Sequence, residues 1–357
     1  MFSTFSSISS VITKKVGSLI GTNWTSKLDT NALSITITTM TPQSGTVIES
    51  DTTGRYILAL GRGATHKICV SNDFGATWTT SGAGQIGLTS TFFNPAGCGV
   101  SGNGAIMYVC FQINTAGGSI YKSTNYGASW SQLTNAPSNL GFFNLSVSSD
   151  GNSILCASAT SGSSVLMLST DGGTSFANIA SNSGINPTSN NWTSFSISPD
   201  GTKIVGCARS GGIFHTSNGG ASWTNTFTTA GNSWGQCVVA NDGKVVVTTI
   251  GQNANVPLSV YVYNGSSWTG LSSTYIPVDR TRICAASDDL SLILVSQCKT
   301  TNDGYLYISR DSGATFTELT AFGSSFYQAV GVSGDGKYIY CAGSATNSKN
   351  ALYSSFN

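Results

Sequence analysis

The stretch SNDFGATW (71–78) returns along the chain as STNYGASW (123–130), STDGGTSF (169–176), TSNGGASW (216–223) and SRDSGATF (309–316). A degenerate copy runs from Tyr261 to Trp268 and contains YNGSSW. The starts lie 52, 46, 47, 45 and 48 residues apart. A period in the forties marks a repeat architecture, not a string of independent domains. Within each copy the Asp or Asn suits a turn in which its side chain accepts backbone N–H groups. The Gly suits a positive φ. The Trp or Phe is expected to pack into the core.

Working outward, most copies are preceded by an apolar run, a tight turn and a second apolar run. Examples are FFNLSVSSDGNSILCAS (142–158), FSISPDGTKIVGCA (195–208), QCVVANDGKVVVTT (236–249) and YQAVGVSGDGKYIYCAG (327–343). Alternating apolar residues around Asp-Gly read as a β-hairpin. A third strand leads into the octapeptide and a fourth leaves it. Four short antiparallel strands per period make one propeller blade.

The repeat and its spacing resemble the Asp-box, or BNR-repeat, β-propeller superfamily over nearly the whole chain after residue 40. That superfamily includes sialidases, xyloglucan-active glycosidases, sortilin-type receptors and a plant photosystem II assembly factor. The resemblance implies a fold and leaves activity open, because one fold hosts many functions.

Complete blades are expected at about 44–80, 90–134, 142–180, 192–228, 233–271 and 279–320, and the tail from Phe326 offers three more strands. Near the start, GTNWTSKL (21–28) resembles the second half of an octapeptide. The fold class expected is therefore all-β: a seven-bladed propeller of four-stranded antiparallel blades, closed by the N-terminal strand joining the C-terminal blade. Closure removes open sheet edges. Residues 1–20 form a separate arm: Phe2, Phe5, Ile8, Ile12, Val16 and Leu19 recur at helical spacing. Residues 21–357 form the propeller domain.

Composition narrows the functional classes. Charged residues make up 9% of the chain, against about 25% in an ordinary soluble protein. A net charge of +1 gives no electrostatic case for nucleic acid. No apolar run approaches the roughly 20 residues that span a bilayer, and no secretory leader is evident at the N-terminus. The nine cysteines recur at equivalent repeat positions, such as Cys98, Cys237 and Cys284, or Cys110, Cys156, Cys207 and Cys341. Buried reduced thiols fit that placement better than a disulfide framework and favour a reducing compartment, cytoplasm or virion.

No cofactor or metal is implied. His66 and His215 have no companion ligands at metal spacing. There is neither a phosphate loop nor a nucleophile elbow. The Arg-Ile-Pro signature of sialidases is missing. Only Glu49 and Glu318 are glutamates, and Glu49 alone falls on an inner strand. A Glu49–Asp279 pair is a conceivable glycosidase couple, since such enzymes use two carboxylates flanking the scissile bond. No catalytic residue is assigned.

The Asp-Gly turns and octapeptides share one face and are stereotyped. The other connections vary in length, so a site is expected on their face. Phe142, Trp192, Trp234 and Tyr327 each lie eight residues before the turn aspartate and would ring that mouth. They either stack on a sugar or peptide, or pack between blades. Asp279, Arg280 and Arg282 form the one dense charged cluster, which either holds an anion or pairs internally. The function expected is a non-catalytic binding or assembly module, with a protein partner or neighbouring subunit engaged through the N-terminal arm. The composition and reduced cysteines fit a structural or surface protein of a large virus. The alternatives are a glycan-binding, lectin-like propeller and a divergent glycoside hydrolase.

Overall fold

The computed structural model describes residues 24–29, 48–61, 67–82, 93–113, 117–137, 140–160, 163–180, 182, 192–208, 212–227, 234–249, 260–271, 280–298, 304–320, 326–344 and 350–356. Every strand among them belongs to a four-stranded antiparallel sheet. Blade 1 is built from Ile48–Ser50, Ile57–Gly61, Lys67–Ser71 and Thr79–Gly82. Blades 2 to 6 repeat the order, with inner strands Phe93–Val100, Phe142–Val147, Trp192–Ile197, Trp234–Val239 and Arg280–Ala286.

One further sheet differs in kind. Its inner three strands are Phe326–Val332, Tyr338–Ser344 and Asn350–Phe356, and its outer strand is Trp24–Asp29. Thr25 pairs with Ser354, in the strand where an octapeptide would otherwise begin. That sets the count: six blades of uninterrupted chain, not seven, plus one sheet spliced from the two chain ends. The physical reason is the unpaired edge. Trp24–Asp29 supplies hydrogen bonds that the outer edge of Asn350–Phe356 would otherwise lack. The spliced sheet packs against both blade 6 and blade 1. The Tyr340 hydroxyl donates to the Gly54 carbonyl of blade 1 at 2.8 Å.

Hydrophobic packing lies between neighbouring sheets. The side chains that fill it are mostly aliphatic and often β-branched, such as Ile57, Val109, Leu155, Val205, Val246 and Val295, all essentially inaccessible. Eight cysteines among the described residues are buried. Burial pushes the Cys156, Cys284 and Cys341 thiols far up. They stay protonated and act as small apolar groups.

The octapeptide is a backbone clip. In blade 1, Asp73 Oδ1 accepts the Thr77 N–H at 2.8 Å and Oδ2 accepts the Thr77 hydroxyl at 2.6 Å. The Ser71 hydroxyl donates to Asp73 and accepts the Gly75 N–H. Asn125, Asp171, Asn218 and Asp311 accept the equivalent N–H in their own copies. The Ser175 hydroxyl and N–H hold the Asp171 carboxylate at a pKa of about 2. These carboxylates are committed to their own turns. The aromatic is less uniformly buried than the sequence suggests: Trp223 and Phe316 are core residues, whereas Trp78 and Trp130 are half-buried.

Candidate functional site: the central cavity and its turn face

Inner strands from all the sheets converge on a cavity of about 130 Å³. An inner strand has no sheet neighbour on its axial side, so its outward N–H groups need other partners. Side chains from the preceding blade meet that need. Ser146 Oγ accepts the Ile197 N–H at 3.1 Å, and Ser194 Oγ accepts the Cys237 N–H at 3.3 Å. Ser196 Oγ accepts the Val239 N–H at 3.3 Å, and Gln236 Oε1 accepts the Cys284 N–H at 3.1 Å. The cavity wall is thus polar yet largely self-satisfied.

One end of the cavity is narrowed by the inner hairpin turns, which are linked blade to blade. The Thr52 N–H donates to the Gly102 carbonyl, Gly102 to Ser149, and Ser149 to Pro199. Pro199 has no N–H to pass on. The next link uses the Asp200 N–H, which donates to the Asn241 side-chain oxygen at 2.8 Å. Further round, Asp288 donates to Gly334 and Asp335 to Thr52. The octapeptide turns dock on this same face: the Phe74 N–H donates to Arg55, Tyr126 to Ala105, and Gly172 to Asn152.

Two carboxyl groups line the cavity, Glu49 and Asp288, with no Lys, Arg or His lining it among the described residues. Glu49 is half-buried. Burial, with the Asp288 charge beside it, pushes its pKa up to about 8. Burial also raises Asp288, helped by Asp289 and Asp335. At neutral pH Glu49 is therefore mostly a neutral acid that can donate a proton or a hydrogen bond. Burial and Glu49 together raise the neighbouring Cys98 thiol. No group of three or more metal-ligating side chains occurs among the described residues.

The sequence-stated candidates fall differently. Phe142, Trp192, Trp234 and Tyr327 do sit at the starts of inner strands, but they are 0%, 2%, 0% and 3% exposed. Trp192 packs on Phe195 and Phe214, and Trp234 on Phe227 and Tyr261. Their rings fill the space between blades and present no face to a ligand. Arg280 and Arg282 lie on the inner strand of blade 6; their side chains, Asp279 and the arm at 1–20 lie outside the described residues. So do most connections on the face opposite the turns. Glu49 shares the cavity with Asp288; Asp279, its conceivable partner in the sequence, lies outside the described residues.

Sequence reasoning missed a row of exposed rings on the turn face. Phe74 and Tyr126 occupy the fourth octapeptide position at φ 59° and 58°. The same position holds Gly172, Gly219 and Ser312 in other copies, all with positive φ. Phe74 stacks on Tyr338 with centroids 5.0 Å apart, and Tyr126 on Tyr56 at 4.6 Å. The Arg55 guanidinium lies 5.2 Å from the Tyr56 ring centre. Phe74 and Tyr126 remain 38% and 40% exposed, the large hydrophobic side chains most open to water among the described residues. The available signal was an aromatic where the other repeats place Gly or Ser.

No family model matches the chain, and no curated protein matches it. Solved structures do. YCF48 bound to D1 peptide aligns with TM-score 0.61 at 14% identity, covering 90% of this chain and 99% of that one. A chain of the mitotic checkpoint complex aligns with TM-score 0.62 at 10% identity over 90% of each chain. An ancestral GH74 enzyme aligns with TM-score 0.52 at 19% identity, covering 74% of this chain and 36% of that one. The fold and its neighbours define the class as a β-propeller. At these identities the likeness is one of fold, shared by propellers that bind protein partners and by a hydrolase family. No helix among the described residues is long and apolar enough to cross a membrane.

Proposed function

We propose that this protein is a non-catalytic binding or assembly module that holds a polypeptide partner on its turn face. The observation that carries this reading is the pair Phe74 and Tyr126. A left-handed backbone costs a non-glycine residue roughly 1–2 kcal/mol, and strained positions concentrate at functional sites. Stacking on Tyr338 and Tyr56 offsets part of that cost, at about 0.5–1.5 kcal/mol per pair. It still leaves one side of each ring in water. Exposed aromatics beside an arginine are the residues that dominate protein interfaces. YCF48, of similar fold, is described in complex with a peptide, which is consistent with the reading.

The test is a displayed-peptide selection against the wild type, followed by titration of the selected peptide into a Phe74→Gly/Tyr126→Gly double variant. Glycine suits both φ values, so the melting temperature should hold while affinity falls at least tenfold. No selected peptide, or equal affinity in the double variant, sinks the reading.

A second reading has one observation in its favour. Glu49 and Asp288 are two carboxyl groups of raised pKa in one cavity, the environment of a glycosidase acid. Against it stands size, because ligand pockets run to about 300–1,000 Å³ and this cavity holds about 130 Å³. Glycoside turnover that disappears in Glu49→Gln would favour hydrolysis over binding.

A further inference from the structure

Blade 5 lacks a feature that the other copies share. In a full octapeptide the turn glycine presses on the blade before it. A Cβ on Gly127 would lie 2.7 Å from Val70, on Gly173 2.5 Å from Leu133, and on Gly220 2.6 Å from Ile179. Each such turn seals the cleft between two blades. Blade 5 joins Val260–Tyr263 to Trp268–Gly270 with residues 264–267 alone. That short turn folds on Asn264, whose Oδ1 accepts the N–H groups of Ser266 and Ser267 at 2.9 Å. Gly265 has nothing within 4 Å of its Cβ position.

The cleft between blades 4 and 5 is consequently left open, as a cavity of about 360 Å³. The aromatic of the short copy responds to the same change. Trp78 and Trp130 donate their indole N–H to a glycine carbonyl of their own turn. Trp268 instead reaches across to Thr226 Oγ1 of blade 4, at 3.4 Å.

The chemistry of the wall selects a ligand. Its charges are already matched: Lys203 pairs with Asp200 at 3.8 Å and Asp242 with Lys244 at 2.7 Å. Burial lowers His215 to about 4, so the imidazole is neutral. Its Nε2 is buried with no hydrogen-bond partner. Thr224 contributes a hydroxyl, and the Thr226 hydroxyl and the Asn218 amide, already bonded to Trp268 and Ser222, keep the wall polar. The Tyr263 and His215 rings meet edge to face at 72° and 5.1 Å, which makes a corner and not a slot for a flat ring. A volume of this size falls within the ligand-pocket range of about 300–1,000 Å³.

We propose that this inter-blade pocket binds a neutral saccharide unit. A sugar ring offers many hydroxyls to a polar wall and an apolar C–H face to an aromatic corner, without charge. Among the described residues of the wall, an anion would find no unpaired cation and a cation no unpaired carboxylate.

A neutral glycan array with the wild-type protein, followed by calorimetric titration of the best free saccharide, tests this. Thr224 is exposed at the start of the outer strand of blade 4. Thr224→Trp should fill the pocket and weaken binding at least tenfold with the fold intact. His215→Phe, which keeps the ring and removes both nitrogens, should weaken binding about fivefold. Phe74→Gly/Tyr126→Gly should leave the sugar affinity unchanged, so this inference and the peptide-binding reading fail separately. No neutral glycan retained by the wild type overturns the proposal. So does undiminished affinity in both pocket variants.

Discussion

At the scale of single residues, identical chemistry has opposite meaning in different surroundings. Asp73 and Asp171 are held ionised by donors of their own turns, whereas Glu49 is held neutral by burial beside Asp288. The first kind was legible in the sequence, because every donor lies within four residues of its acceptor. The second was not: Asp288 reaches Glu49 only through ring closure. The Glu49 pKa is raised from 4.5 to about 8. Its contribution to stability is therefore fully present below pH 4.5 and lost as pH rises through about 8. Glu49→Gln removes that dependence. Denaturant unfolding should find the variant more stable than wild type by roughly 2–4 kcal/mol at pH 8 and nearly equal to it at pH 4.5.

At the scale of elements, the strands and octapeptides could be read from alternation and turn residues, because those signals are local. What fastens one inner strand to the next could not. Ser146 and Ser196 each precede a turn aspartate by four residues and cap an N–H of the following blade. A serine in a serine-rich chain carries no mark of that duty. The aromatics at the strand starts left two readings open in the sequence, and their burial fits packing between blades. Gly97 shows how close the inner strands run. A Cβ there would sit 2.7 Å from the Leu145 backbone nitrogen of the next blade. Gly97→Ala should cost about 2 kcal/mol through overpacking. Chemical denaturation measures it, and a change under 0.5 kcal/mol would mean the two strands can part freely.

At the scale of the whole molecule, stability depends on the splice. Trp24–Asp29 covers the hydrogen-bonding edge of Asn350–Phe356, and the sheet so completed joins blade 6 to blade 1. Removing residues 1–29 should expose that edge. Light scattering should then show concentration-dependent association, and the melting temperature should fall by several degrees. A truncated chain that stays monomeric and melts with the wild type would show that the ring closes without its N-terminal strand.

The Asp200 N–H stands in for the donor that Pro199 lacks, and the Asn241 side-chain oxygen accepts it where a main-chain carbonyl serves elsewhere. Elsewhere the described links around the turn face run through main chain and survive any substitution but proline. Between blades 4 and 5 a side chain does the fastening, beside a cleft that no full-length turn seals. This joint is consequently the place where a change of one residue type can loosen or tighten the ring, and with it the pocket below, without rebuilding a blade.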